Sequence, residues 1–225
     1  MSIVYIVSAP SGSGKSTLVN ELFKMVRNLD FSISYTTRSP RGSEKNGKEY
    51  FFVSREEFEA MVAADEFLEH AEVFGNYYGT ARRFLREAEN RSNDLLLDID
   101  VQGASKIKEK IPEAVSIFIL PPDREKLEWR LRNRGLDSEA VIRRRLDTAR
   151  REIENYSKYD YILVNNVLEK SADQLKNIVL SERAQRSGVE LSGEEKRRVA
   201  TAQACRLEQT RERVQPILAS FNPQM

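Results

Sequence analysis

Short apolar runs alternate along the chain with longer segments in which apolar residues recur at helical spacing. Residues 3–7 form a β-branched and aromatic run typical of a buried strand, and apolar residues recur every three or four positions over 18–26. Three more apolar runs, at 95–97, 115–120 and 159–164, are each followed by a helical pattern. This alternation predicts an α/β fold with a parallel sheet covered by helices on both faces.

Residues 31–80 follow a different pattern. Extended segments are predicted around 31–35, 51–53 and 67–73, and polar turns that contain glycine separate them. A capping box at 54–57 opens a short helix within this stretch. We expect these residues to form a mostly β lobe inserted into the parallel fold.

The chain becomes highly charged from about residue 185. The sequence "RSGVELSG" has the composition of a linker, and a second capping box at 192–195 precedes a helix predicted to run to Pro216. The thin apolar stripe of this helix fits either a solvated tail helix lying on the core or a weak contact between copies. The stripe consists of Val199, Leu207, Val214 and Leu218.

The composition is that of a globular chain. Its 225 residues are 40% hydrophobic, enough for one substantial core, and 36 basic and 35 acidic residues leave a net charge of +1. A global field that attracts nucleic acid or membrane is therefore excluded. One cysteine and one histidine form neither a disulfide nor a zinc set. Because no apolar run has membrane-spanning length and the first strand begins almost at Met1, we expect a soluble, cytoplasmic protein.

The sequence "SAPSGSGKST", residues 8–17, lies between the first predicted strand and helix. Gly14, Lys15 and Ser16 match the end of the P-loop pattern, while Ala9 stands where the first glycine is usual. Backbone N–H groups from Gly12 to Lys15 and the positive helix end would bind an anion, and the Ser16 hydroxyl can ligate magnesium. An ordinary Gly/Ser turn is the alternative. The context favours a nucleotide polyphosphate ligand.

Two further clusters carry charge. Asp98 and Asp100 close the predicted strand "LLLDID", at the end where ligands gather in open α/β sheets. Their spacing of two predicts that both point the same way, although such acids also serve as helix caps. An arginine-rich stretch, 130–151, fits a solvated helix pair, a nucleic-acid patch or a lid over phosphates.

Six sequence blocks follow one another along residues 3 to about 183: "SAPSGSGKST", "SYTTRSPRGSEKNGKEYFFVS", "FLEHAEVFGNYYGT", "LLLDIDVQGA", "IFILPP" and "YDYILVNN". In this order and spacing they resemble the guanylate kinase family, bacterial type. The resemblance implies a P-loop NTPase-like domain over 1–184 and a charged helical tail over 185–225. Within the domain it implies a core (1–30, 81–123 and 152–184), a GMP-binding lobe at about 31–80 and a lid at about 124–151.

The resemblance also implies a reaction. MgATP and GMP would give ADP and GDP by in-line transfer of the γ-phosphate, a step in purine nucleotide recycling. ATP and GMP would be the partners, with neither nucleic acid nor membrane, and the protein a monomer or weak homo-oligomer. One alternative is a catalytically silent guanylate-kinase-like module that binds a phosphopeptide, and another is a nucleic-acid-binding protein that uses the arginines.

Glu69 is the residue on which base specificity would depend. A carboxylate only accepts hydrogen bonds, and the guanine edge offers N1–H and N2–H₂ side by side, whereas adenine presents an acceptor there. Without the resemblance, a glutamate in this context would more often be a solvated strand residue. The resemblance adds hydroxyls, arginines and tyrosines to the GMP site, which would consist of Ser34, Arg38, Arg41, Tyr50, Glu69, Tyr78, Thr80 and Asp100.

The resemblance assigns the remaining roles as follows. ATP would contact Ala9, Pro10, Ser11, Gly12, Ser13, Gly14, Lys15, Ser16, Thr17 and Asn165. Magnesium would be held by Ser16 and, through water, by Asp98. The transferring phosphoryl group would be stabilised by Lys15, Arg38, Arg134 and Arg145, with Arg130 as a further candidate.

Overall fold

The computed structural model describes residues 2–73, 75–133 and 138–222. They fall into two compact units. The first comprises residues 1–6 and 28–115, and the second comprises residues 7–27 and 116–225.

The elements of the described residues match most of the sequence prediction. In chain order they are β1 (Val4–Ser8), α1 (Lys15–Met25), β2 (Leu29–Ser32), β3 (Tyr35–Thr36), β4 (Phe51–Phe52), α2 (Arg55–Ala63), β5 (Phe67–Val73), β6 (Asn76–Ala81), α3 (Arg82–Asn90), β7 (Asp94–Asp98), α4 (Val101–Lys110), β8 (Val115–Leu120), α5 (Arg124–Asn133), α6 (Glu139–Ile153), a 3₁₀ helix (Glu154–Lys158), β9 (Tyr161–Val164), α7 (Leu168–Arg186), α8 (Gly193–Gln203) and α9 (Leu207–Phe221).

The larger sheet has the predicted parallel arrangement. Its strand order is β2-β7-β1-β8-β9, and both the β2–β7 and the β8–β9 pairs are parallel. Residues of β1, β7 and β8 are almost entirely buried, as expected for strands covered on both faces. The carboxyl ends of β1 and β7 each lead directly into a segment with predicted site residues.

A second sheet lies within the first unit and has the strand order β4-β3-β6-β5. β5 and β6 form an antiparallel hairpin, and Phe58 of α2 stacks on Phe67 of β5 with ring centroids 4.6 Å apart. The extended stretch predicted at 31–35 divides between the sheets, because β2 ends at Ser32 and β3 begins at Tyr35. The predicted β character of the segment is confirmed.

The prediction that one helix follows residue 190 and ends at Pro216 is wrong. The structure has two helices, α8 and α9, and Pro216 lies inside α9. The chain leaves helical geometry between them to pair with β9: the Ile162 amide donates to the Cys205 carbonyl at 2.7 Å, and the Leu207 amide to the Asp160 carbonyl at 3.2 Å. Tertiary backbone pairing therefore overrides local helix propensity.

The tail helices pack firmly within the second unit. Cys205 and Val214 are fully buried. The Arg206 guanidinium stacks on the Tyr161 ring, 4.1 Å from the ring centroid. It also donates to the Glu182 carboxylate at 2.8 Å, and the same carboxylate accepts from the Tyr161 hydroxyl at 2.5 Å. These contacts agree with one of the two alternatives for the tail, a helix lying on the core. Among the described residues, no helix combines the length and apolar character needed to cross a membrane.

Candidate active site

The glycine-rich loop of the second unit has the backbone geometry expected of a phosphate-binding loop. It joins β1 to α1, and Gly12 and Gly14 have φ values of 92° and 88°, a region that favours glycine. A Cβ at Gly12 would lie 2.8 Å from the Leu131 Cδ2 atom. Ala9 does not have a positive φ, so a methyl group is compatible with the position where the pattern usually has glycine.

The loop is supported from α5 and from the end of β9. The Asn165 side-chain amide donates to the Ser13 carbonyl at 2.7 Å, and the Arg130 guanidinium reaches the same carbonyl at 3.2 Å and the Asn165 carbonyl at 2.8 Å. Asn165 is buried, and its amide nitrogen would collide with a Cβ at Gly14. These contacts give Asn165 and Arg130 a supporting position under the loop, whereas the adenine contact predicted for Asn165 stays a prediction.

The polar groups of the loop suit an anion. Lys15 is the first residue of α1, and the first turn of the helix contains no acidic residue, so its positive end is not neutralised from within the turn. Ser16 and Thr17 are exposed there. The Ser13 hydroxyl oxygen is fully buried and has no hydrogen-bond partner among the described residues, although buried polar groups are normally satisfied.

A buried carboxylate lies in the first unit, on β5. Glu69 is only 5% exposed and accepts a hydrogen bond from the Thr80 hydroxyl at 2.7 Å. A Cβ added at Gly103, in the first turn of α4, would lie 2.8 Å from the Glu69 Oε2 atom, so the glycine permits close approach of helix and carboxylate. The structure brings Glu69 and Thr80 together as the sequence predicted.

Burial raises the pKa of Glu69 from 4.5 to about 7, and the nearby Asp100 carboxylate also raises it. The Thr80 hydrogen bond and the charges of Lys106 and Lys110 act in the opposite direction. Shifts of this kind are common in functional sites, where burial and neighbouring charges combine to change the pKa of a side chain.

Asp100 lies outside β7, which ends at Asp98, so the prediction that both acids close one strand is wrong and Asp100 has the alternative position, that of a helix cap. It is the N-cap of α4 and accepts from the Gly103 amide at 2.8 Å, and its charge acts on Glu69. Asp98 is the last residue of β7 and is half-buried. Ser34 is buried between β2 and β3, where its carbonyl accepts from the Phe51 amide at 2.9 Å.

A second cluster of the first unit surrounds Arg38. The guanidinium is buried and makes a two-pronged pair with Glu44 at 2.9 and 3.1 Å, and it lies 5.2 Å from the centroid of the Tyr50 ring. Tyr78 packs edge-to-face on Tyr50 at 5.9 Å between centroids. Burial alone would lower the pKa of Arg38, but the bonds to Glu44 and Tyr78 outweigh it, and the pKa is raised.

Glu44 is the residue of this cluster that the sequence did not predict. Its carboxylate also accepts a hydrogen bond from the backbone amide of Arg41. Arg41 itself is exposed. Nothing in the polar turn "PRGSEKNGKEY" distinguishes Glu44 from Glu49, so only the fold identifies it. Arg145 lies half-buried on α6, and Arg134 lies outside the described residues.

The strand, loop and helix around Lys15, inside a parallel α/β sheet, define a P-loop nucleotide-binding protein. The family model named guanylate kinase matches residues 1–182, and the chain belongs to the guanylate kinase family.

Curated relatives and a solved structure agree with this membership. The chain is 59% identical to "Guanylate kinase" of Koribacter versatilis over 221 residues, 97% of this chain and 95% of that protein. It is 49% identical to "Guanylate kinase" of Escherichia coli K12 over 82% of this chain and 90% of that protein. The crystal structure of guanylate kinase from Anaplasma phagocytophilum matches with a TM-score of 0.67 and 40% identity, covering 80% of this chain and 86% of that chain.

Proposed function

We infer that this protein transfers the γ-phosphate of ATP to GMP, giving ADP and GDP. Membership of the guanylate kinase family carries the reaction. The observation that supports guanine as the base is the buried Glu69 carboxylate, which accepts from the Thr80 hydroxyl and has the chemistry to accept from two adjacent N–H donors of a ligand. A carboxylate that is buried without such donors carries a large penalty, and guanine removes it better than adenine does.

For ATP, we propose binding by residues 9–17, with the backbone amides of the loop and the Lys15 ammonium around the phosphates. The Ser13 hydroxyl oxygen, which has no hydrogen-bond partner in the part of the chain that the structure describes, is an additional polar group in this loop. Asn165 and Arg130 fix the loop through the Ser13 carbonyl, so their side chains contribute to ATP binding even without touching the base.

For GMP, we propose that Glu69, Thr80, Asp100 and Ser34 surround the base. The phosphate would contact Arg38, Arg41, Tyr50 and Tyr78. The planar guanidinium of Arg38 already makes a two-pronged bond with the Glu44 carboxylate, the geometry in which arginine also binds phosphate oxygens. Glu44 and the Tyr50 ring hold this side chain in a defined orientation.

The residues predicted for magnesium have suitable chemistry. Mg²⁺ prefers oxygen ligands, keeps several waters, and is usually bound by one or two protein groups plus substrate phosphates. The exposed Ser16 hydroxyl and the half-buried Asp98 carboxylate provide such oxygens. When bound, the ion would neutralise charge on the phosphates of ATP.

Catalysis in this proposal consists of positioning and charge stabilisation. The acceptor phosphate of GMP is largely anionic near neutral pH, so no general base is required. Lys15, Arg38, Arg134 and Arg145 would stabilise the charge of the transferring phosphoryl group, with the arginine-rich lid excluding water. We propose a cytoplasmic monomer or weak homo-oligomer whose partners are these nucleotides, without nucleic acid or membrane.

The test is a coupled ADP-release assay with MgATP and, in parallel, GMP, dGMP, AMP, UMP and CMP. We expect turnover with guanine nucleotides and its loss in Lys15→Ala. Equal turnover with AMP and GMP would contradict the base assignment, and full activity of Lys15→Ala would contradict the role of the loop.

A further inference from the structure

Two lysines of α4 bind the backbone of the strand that carries Glu69. The Lys106 ammonium donates to the His70 carbonyl at 2.5 Å, and the Lys110 ammonium donates to the Leu68 carbonyl at 2.5 Å. These carbonyls lie on either side of Glu69 in the sequence. The two lysines are four residues apart, so they share one face of α4.

The position of β5 in its sheet gives these contacts importance. β5 is the edge strand of the order β4-β3-β6-β5, and among the described residues one side of its backbone has no strand partner. On its other side, Glu69 pairs with Thr80 of β6, next to a register irregularity between Phe67 and Glu69. The two lysines therefore attach β5 to α4 at Glu69, where the strand is paired on one side and its register is irregular.

The same lysines balance local charge. Glu69 and Asp100 bring two carboxylates into one region, and burial and mutual repulsion favour a proton on Glu69. The charged groups that act on Glu69 are Asp100, Lys106 and Lys110, and Thr80 donates to it. His70, the next residue along β5, lies against the rings of Phe58 and Phe67.

We propose that Lys106 and Lys110 are positioning residues for guanine recognition, which tie β5 to α4 on both sides of Glu69 and hold its carboxylate in place as an acceptor for the N–H groups of the base. This inference rests on the proposed function, because it assigns Glu69 to the base. The lysines act through Glu69 and do not touch the substrate themselves.

Burial and Asp100 raise the pKa of Glu69, and the two lysine charges lower it. Loss of the lysines moves the pKa further upward, so a larger fraction of Glu69 is protonated at neutral pH. A protonated carboxyl presents an O–H donor where guanine also presents donors, and GMP then binds less well. The phosphate of GMP titrates as well, but equally for every variant.

The experiment compares the double variant Lys106→Met/Lys110→Met with the wild type. KM for GMP, KM for ATP and kcat are measured from pH 5.5 to 8.5. At low pH, KM for GMP should rise as Glu69 takes up a proton. In the double variant we expect the midpoint of this rise to move up by about one pH unit, with KM for GMP increased about fivefold at pH 7. We expect kcat and KM for ATP to stay within about twofold.

Lys108 is the matched control on the same helix. Its ammonium donates to the Pro112 and Ala114 carbonyls, and it is not among the charges that shift the pKa of Glu69, so Lys108→Met should leave the pH profile unchanged. Lys106→Arg/Lys110→Arg, which keeps both charges and donors, should restore most of the wild-type profile. Each single methionine variant should shift the profile about half as far, so the prediction can be tested even if the double variant does not fold.

Three results are informative. An unshifted profile for GMP in the methionine variants overturns the proposal, and so does a parallel loss of kcat and of affinity for ATP, which would indicate general damage to the fold. A wild-type enzyme without preference for GMP refutes the proposed function itself and, with it, this inference.

Discussion

Glu69→Gln tests whether the buried carboxylate is costly to the fold and useful for the substrate. A pKa raised from 4.5 to about 7 corresponds to roughly 3 kcal/mol, because each pKa unit is worth about 1.36 kcal/mol. Below pH 4.5 Glu69 is protonated in both the folded and the unfolded chain, and there is no penalty. As the pH rises from 4.5 to 7, the unfolded chain loses the proton first, and stability falls.

Glutamine has nearly the same shape and carries no charge at any of these pH values. The free energy of unfolding of Glu69→Gln minus that of the wild type should therefore rise by about 3 kcal/mol between pH 4.5 and pH 8 in the absence of nucleotide. Urea unfolding at several pH values measures this difference. Glu72→Gln, an exposed position on the same strand, is the matched control for the loss of one carboxylate.

The same variant should lose affinity for GMP. Its amide group presents a donor to guanine in place of one carboxylate oxygen, and loss of a charged hydrogen bond costs about 1.5–3 kcal/mol, or roughly 10- to 100-fold in KM. A pH-independent stability difference would refute the raised pKa. Unchanged KM for GMP would refute the base contact.

The remaining predictions concern the helix beside Glu69, the loop and the tail. Gly103→Ala places a Cβ 2.8 Å from Glu69 Oε2, so steady-state kinetics should show a raised KM for GMP and an unchanged KM for ATP. The control Gly193→Ala, with open space around the added Cβ, should change neither KM value. Gly12→Ala would put a side chain at a φ of 92° and against Leu131, and it should abolish ATP binding measured by calorimetry. ATP binding equal to that of the wild type would contradict the loop geometry. Ile217→Ala, in a buried site of α9, should lower the free energy of unfolding by about 2–5 kcal/mol in a denaturant titration while kcat at 25 °C stays near that of the wild type; an unchanged midpoint would contradict the packing of the tail.

Much of the fold was predictable because its signals are local. The strands at 67–73 and 115–120 were predicted at the residues where β5 and β8 lie, and the capping boxes at Ser54 and Ser192 open α2 and α8 as expected. Apolar runs and caps depend on neighbours in the sequence, so the sequence alone contains them.

Non-local pairing is what the sequence could not supply. The break between α8 and α9 arises from hydrogen bonds of Cys205 and Leu207 with β9, far away in the chain. Glu44 on Arg38 and Lys106 beside Glu69 are likewise ordinary surface charges until the fold brings them to their partners. The residues proposed for guanine binding were predicted through the resemblance, whereas the burial and the raised pKa of Glu69 required the structure.

Transfer of the γ-phosphate of ATP to GMP can be followed directly by ³¹P NMR in a mixture of MgATP, GMP and enzyme, with AMP replacing GMP in a parallel sample. We expect ADP and GDP to appear in equal amounts, without inorganic phosphate, and the AMP sample to stay unchanged on the same time scale. Release of inorganic phosphate in place of GDP, or equal conversion of AMP, would contradict this expectation.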